Sequence, residues 1–111
     1  MPSSIQYKSK ILRYKMNPSI IHNSLANRFE YRTDDAVAFC EYKLVGNVWY
    51  FNHTLVPDSM RGQGVAARLV ETALNYVDEQ HGRVVPKCSY VADYIKKKPN
   101  FAHLVEKDQI E

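Results

Sequence analysis

Arg61-Gly62-Gln63-Gly64-Val65-Ala66 is the stretch of this chain whose residue types and spacing point most directly to chemistry. It lies between an apolar run ending His53-Thr54-Leu55-Val56-Pro57 and an amphipathic run from Ala67 onward. That order reads as strand, short loop, helix. Unpaired N–H groups at a helix N-terminus face outward, and the helix dipole adds partial positive charge there. Gly62 and Gly64 lack the Cβ atoms that would hold a ligand at a distance, and Arg61 adds a fixed cation. Such a place suits a pyrophosphate. A plain strand-to-helix turn would use the same glycines, so context has to decide.

Two familiar phosphate loops fail on context. Gly62-x-Gly64-x-x-Ala67 fits the dinucleotide fingerprint, whose third glycine can be alanine. That fingerprint opens a parallel sheet, whereas the strands upstream here read as antiparallel hairpins, and 111 residues leave little room for a doubly wound fold. A nucleoside-triphosphate loop needs Gly-Lys-Ser/Thr after its second glycine, which is absent.

The elements that must position the loop follow from patterning. Arg28 to Arg32 alternates as a short strand, and Thr33-Asp34-Asp35 makes a turn. A second strand runs from Ala36 to Val45, Gly46-Asn47 closes a hairpin, and Val48 to Val56 is a third strand. After the loop, Ala66, Leu69, Val70, Ala73, Leu74 and Val77 share one helical face, and Gly82 is placed to end the helix. Val84 to Cys88 then reads as a strand, followed by a short helix over Tyr90 to Lys97 that Pro99 stops. Strands 48–56 and 84–88, joined by a crossover helix, are expected to be adjacent and parallel.

With these elements in view, the chain resembles the GNAT acetyltransferase superfamily. Its acetyl-coenzyme A loop, Arg/Gln-x-x-Gly-x-Gly/Ala, is matched by Arg61-x-x-Gly64-x-Ala66. His53-Thr54, Val56-Pro57, Val85-Pro86, Cys88-Ser89-Tyr90-Val91 and Pro99 are similar to the small, single-domain YjdJ-type branch. The resemblance covers about Asn27 to Val105. It implies an α/β (α+β) fold of minimal size, with two main helices and a mostly antiparallel mixed sheet splayed at its one parallel strand pair. The pantetheine arm of the coenzyme would lie in that opening, where Pro86, which has no N–H to donate, costs the ladder nothing. The coenzyme-binding set it implies is Leu55, Val56, Arg61, Gly62, Gln63, Gly64, Val65, Ala66, Ala67, Arg68 and Ser89.

Acetyl transfer to an amine needs a neutral nucleophile, a polarised carbonyl and a proton for the departing thiolate. Cys88 ends the post-helix strand, where the resemblance places the thioester. It reads either as a covalent nucleophile, with Lys87 and a helix start beside it, or as a small buried residue. His53, alternating with Trp49, Phe51 and Leu55, could take the ammonium proton or simply brace the loop. Tyr90 and Tyr94 lie four apart on one helix face; either could protonate the thiolate, or both could be packing residues.

Composition supports one compact domain, since 45% of residues are hydrophobic. Residues 1–26 are expected to be a basic, mobile extension, and 27–111 a single N-acetyltransferase domain. Lys8, Lys10, Arg13 and Lys15 sit in that arm with no acid. Their charge suggests nucleic acid or membrane only weakly, and neither is expected as a partner. Cys40 and Cys88, with no secretory apolar segment ahead of them, suggest free thiols. The expected setting is intracellular and cytoplasmic, with organellar targeting by the basic arm as the alternative. Cys and His are scattered without ligand spacing, so no metal is expected. The leading function is an acetyl-coenzyme A-dependent N-acetyltransferase acting on a protein, peptide or polyamine amine, with a monomer favoured. The alternative is a non-catalytic acyl-coenzyme A binding module.

Overall fold

The computed structural model describes residues 19–107. Five strands lie in chain order in one sheet: β1 (Ile20–Asn23), β2 (Arg28–Arg32), β3 (Val37–Val45), β4 (Val48–Leu55) and β5 (Arg83–Pro86). The first three neighbouring pairs are antiparallel, and β4 with β5 is parallel. The crossover between β4 and β5 carries a 3-10 turn (Asp58–Met60), the glycine loop and helix α1 (Val65–Glu79). Helix α2 (Ser89–Lys97) follows β5, and a 3-10 segment (Pro99–Leu104) is the last element among the described residues. This is the expected mixed architecture: a mostly antiparallel sheet, one parallel pair and two main helices.

Binary patterning puts the core on one face of the sheet. Phe29, Ala38, Cys40, Tyr42, Trp49, Phe51 and Val84 alternate inward along the strands. Leu69, Val70, Ala73, Leu74 and Val77 of α1 join them, with Val91 and Ile95 of α2. On the other face Glu30 is wholly buried between Arg28 and Arg32, two residues away on either side. Asn23 donates to the same carboxylate at 3.0 Å, and the Arg28 guanidinium lies 4.4 Å from the Phe39 ring centre.

Two local expectations are corrected. The sheet starts ahead of residue 27, because Ile20–Asn23 pairs antiparallel with Arg28–Arg32, in register Ile20↔Tyr31 to Asn23↔Arg28. A four-residue strand with two consecutive isoleucines is too short for alternation to reveal. The rest of the basic arm, residues 1–18, lies outside the described residues. Gly82, in turn, does not supply the left-handed residue that ends α1; His81 does, at φ 58°. Gly82 is needed for space, since a Cβ there would sit 2.8 Å from Trp49 Nε1 and 3.0 Å from Val77 Cγ1.

The sheet is irregular along the second half of β4. Tyr42 pairs with Phe51 but Glu41 pairs with His53, so Asn52 is an extra residue in β4, a β-bulge. The parallel ladder between β4 and β5 ends at Phe51↔Pro86. Cys88 N–H extends it by one hydrogen bond, 2.8 Å to Phe51 O. Beyond that point β4 continues to Leu55 with β3 alone, while the chain after β5 turns into α2. The strands therefore part at Pro86 as expected, but four residues before Leu55 on β4. The far edge of β5 is covered: Val105 bridges to Val84, and Glu106 N–H donates to Val84 O at 2.8 Å.

Candidate functional site

The loop is built so that backbone, not side chains, faces outward at the start of α1. Gly62 and Gly64 adopt φ of 79° and 74°, the left-handed region in which an L side chain is strained. A Cβ on Gly62 would meet nothing within 4 Å, and one on Gly64 only Arg68 Nη1 at 3.6 Å, so both glycines border open space. The first α1 hydrogen bond runs from Arg68 N–H to Gly64 O. No side chain caps the helix, and its first turn holds no acid. The N–H groups of Val65, Ala66 and Ala67 are thus presented to an incoming anion.

Other loop residues brace this geometry. Gln63 Nε2 donates to Ser59 O at 3.2 Å, and Arg68 Nη1 donates to Gln63 O at 2.9 Å, with its guanidinium 5.5 Å from the Tyr31 ring centre. Arg61 is largely exposed, 3.2 Å from Asp58 Oδ1 and 3.3 Å from Val56 O. A cleft of about 310 Å³ lies over the loop, lined by Val56, Met60, Arg61, Gly62, Gly64, Val65, Ala66, Ala67 and Tyr90. Seven of these nine were named for the coenzyme from sequence, and Tyr90 was named for proton transfer. Met60 was missed, because a methionine in a turn carries no motif signal. Gln63, Arg68, Leu55 and Ser89 do not line it; the first two act as braces, and Ser89 begins α2 directly after Cys88.

Cys88 and Thr54 face each other where the ladder has stopped. The Cys88 thiol donates to Thr54 Oγ1 at 3.5 Å, and Thr54 Oγ1 donates to Cys40 Sγ at 3.7 Å. Three polar side chains from β3, β4 and the head of α2 thus form one chain across the opening. Burial pushes the Cys40 thiol up to about 12, so it stays protonated. Cys88 is half-buried, and both cysteines are free thiols. Thr54 was read only as part of a motif; its position between the sulfurs depends on the bulge.

The bulge also relocates His53. The expected sharing of one face with Trp49 and Phe51 does not hold, because the extra residue Asn52 reverses alternation after Phe51. His53 is exposed on the face away from α1, opposite Glu41 in register, with its ring 5.8 Å edge-on to Phe39. Leu55, opposite Phe39, is exposed on that face too. The two tyrosines separate in role. Their rings stack at 6.5 Å, but Tyr90 lines the loop cleft, while Tyr94 packs on Phe101 at 6.3 Å under Lys98. Burial raises both phenol pKa values, with Glu71 and Tyr90 adding to the effect at Tyr94, so both keep their protons.

A second cleft, of about 360 Å³, opens on the face away from α1 and is lined by Lys43, Val45, Tyr50, Asn52 and Lys87. Among the described residues no group of three or more His, Cys, Asp or Glu side chains could hold a metal ion, and no helix is long and apolar enough to cross a membrane.

Comparison with known proteins fits this geometry. Residues 28–104 match the family model for GCN5-related N-acetyl-transferases. Protein NATD1 of Gallus gallus is 39% identical over 67 residues, 60% of this chain and 59% of that protein. Protein NATD1 of Homo sapiens gives 39% over 67 residues, 60% of this chain and 58% of the relative. Protein NATD1 of Xenopus tropicalis is 33% identical over 93 residues, covering 76% of this chain and 84% of its own length. The matches to the chicken and human proteins thus span less than two thirds of those relatives.

Proposed function

The chain belongs to the GCN5-related N-acetyltransferase family, and on that premise we propose that it transfers acetyl from acetyl-coenzyme A to an amine. The observation that carries this reading is the pairing of an uncapped α1 N-terminus behind two left-handed glycines with a sheet that opens at Phe51 and Pro86. The residues present fit the coenzyme: open space lies outside both glycines, and a cleft runs over the loop as far as Tyr90.

Each residue's part follows from its position. The N–H groups of Val65, Ala66 and Ala67, with Arg61, hold the pyrophosphate. Gln63 and Arg68 keep the loop in shape. The opening past Phe51 would take the pantetheine arm, and residues 52–55 of β4, which β5 does not pair, would offer backbone partners to its amides. The coenzyme supplies an acetyl thioester, a carbonyl already activated for attack. Cys88 and Thr54 line the opening where that thioester would lie. Because the Cys88 thiol already donates to Thr54, we assign it to the pocket wall, and transfer from coenzyme to amine is direct. His53, on the face away from α1, accepts the proton that the ammonium must lose before its nitrogen attacks. Tyr90, held protonated by burial beside the loop, donates to the departing thiolate.

Intact mass with acetyl-coenzyme A, with and without amines, together with free-thiol release, tests the reading. Direct transfer predicts thiol release only with an amine and no acetylated protein. A stable Cys88 acetyl adduct that passes its group to an amine would replace direct transfer with a covalent route. Coenzyme A binding without turnover across a broad amine screen would instead favour the acyl-coenzyme A binding module.

A further inference from the structure

We propose that the acceptor is an amine that also carries an anionic group, carboxylate or phosphate, held by Lys43 and Lys87 in the cleft on the face away from α1. This rests on the acetyl-transfer reading above and deepens it. Topology is the first reason. The loop cleft and the second cleft share no lining residue. The opening between β4 and β5 begins just past Phe51 and Pro86. Asn52 and Lys87, the next residue on each strand, both line the second cleft. A molecule seated there reaches the opening from the side away from the pyrophosphate loop.

Charge is the second reason. The lining holds two lysines and no acid, and neither lysine is ion-paired among the described residues. Lys43 comes from β3 and Lys87 follows β5, so they flank Tyr50 and Asn52 of β4 from either side. Such a lining repels a polyamine and attracts an anion. The same face holds the opposite charge a short way on. Glu41, two residues before Lys43 and therefore about 7 Å along the strand, lies between His53 on β4 and Arg28 on β2, and Arg28 is already engaged by the Glu30 carboxylate and the Phe39 ring. An ammonium group toward Glu41 and His53 and an anion toward the lysines would match that polarity. The span suits an amine and an acid a few bonds apart. In the transfer the amine nitrogen, after losing one proton to His53, bonds to the acetyl carbon. As the carbon–sulfur bond breaks, the nitrogen gives up a second proton to solvent and the thiolate takes one from Tyr90, which solvent reprotonates, so that an amide and a free thiol are left.

Matched pairs of amines test this in the full chain with acetyl-coenzyme A and a thiol-release readout. β-Alanine is set against β-alaninamide, and phosphoethanolamine against ethanolamine, with spermidine as the cationic arm. The expected result is a kcat/KM at least about tenfold higher for the anionic member of a pair. Lys43→Glu with Lys87→Glu should abolish that preference by raising KM, and Lys43→Gln with Lys87→Gln should weaken it. Whichever pair responds identifies carboxylate or phosphate. Coenzyme A binding by calorimetry on every variant checks the fold and the coenzyme reading separately. Amide chemical shifts around Lys43, Asn52 and Lys87 are followed on adding each amine without coenzyme. Anion-dependent shifts lost in the glutamine variants, with no turnover by any amine, would keep the anion site and sink the transferase reading. Equal rates within pairs, a preference for spermidine, or neither turnover nor shifts would overturn the inference.

Discussion

Replacing Gly64 separates what the loop does for the fold from what it does for a ligand. Gly64 sits at φ 74°, ψ 18° immediately before α1, so any L side chain there pays for a left-handed backbone. That strain costs about 1–2 kcal/mol for alanine and more for a β-branched residue. Gly64→Val therefore cannot leave the fold untouched, although the space around the glycine would admit it. Gly64→Asn is the cleaner perturbation. Asparagine visits the left-handed region readily, and its side-chain oxygen can accept an N–H of the first helical turn. It should keep most of the stability while occupying the groups that a phosphate would use. Each charge-assisted hydrogen bond lost is worth about 1.5–3 kcal/mol, which corresponds to roughly a 10- to 150-fold weaker Kd. Calorimetry with coenzyme A and thermal denaturation are measured on the same samples. Gly64→Ala should lower Tm by roughly 4–15 °C and weaken binding, whereas Gly64→Asn should weaken binding with little change in Tm. Wild-type coenzyme A affinity in a folded Gly64→Asn protein would refute the assignment of this loop to the pyrophosphate.

Three further outcomes follow from single environments. A thiol reagent at pH 8 should modify Cys88 in the native protein and reach Cys40 only after unfolding, since burial holds Cys40 near 12; two fast native thiols would contradict this. Burial alone would raise the pKa of Glu30, but hydrogen bonds from Arg28, Asn23 and Arg32 and the charge of Arg32 outweigh it and hold the carboxyl below its ordinary value. Its stabilising effect is then complete above the unfolded pKa and is lost as pH falls through the lower folded value, so Glu30→Gln should cost about 2 kcal/mol in urea melts at pH 7 and progressively less as the pH is lowered below the unfolded value. Gly82→Ala should destabilise by about 1–3 kcal/mol, because its Cβ meets Trp49 at 2.8 Å; the fluorescence of that tryptophan, the single one in the chain, reports the melt.

Most of the fold was legible because its signals are local. The strand Arg28–Arg32, the Gly46-Asn47 hairpin and the face of α1 are written in alternation, turn residues and helical spacing, and each lies where its pattern puts it. The loop was legible for the same reason: two glycines, an arginine and an amphipathic run are contiguous. What escaped depends on register. Nothing in Tyr50 to Leu55 announces that Asn52 is extra, since bulge formation is decided by how β4 meets β3.

That one residue reorganises the site. Without it, His53 would share the core face with Trp49 and Phe51, and Thr54 would point away from Cys40 and Cys88. With it, Thr54 turns inward to join the two sulfurs, and His53 turns outward beside Glu41 with its ring against Phe39, on the face that carries the lysine-lined cleft. The same extra residue lies at the point where β4 loses β5. A single insertion in one strand thus assigns a thiol and a hydroxyl to the inner side of the opening and an imidazole to its outer side. The proposed transfer uses that division, with the inner groups toward the thioester and the imidazole toward the amine. A regular β4 would present both sets of side chains with their faces exchanged, so the bulge, more than any one side chain, sets the division on which the proposed transfer depends.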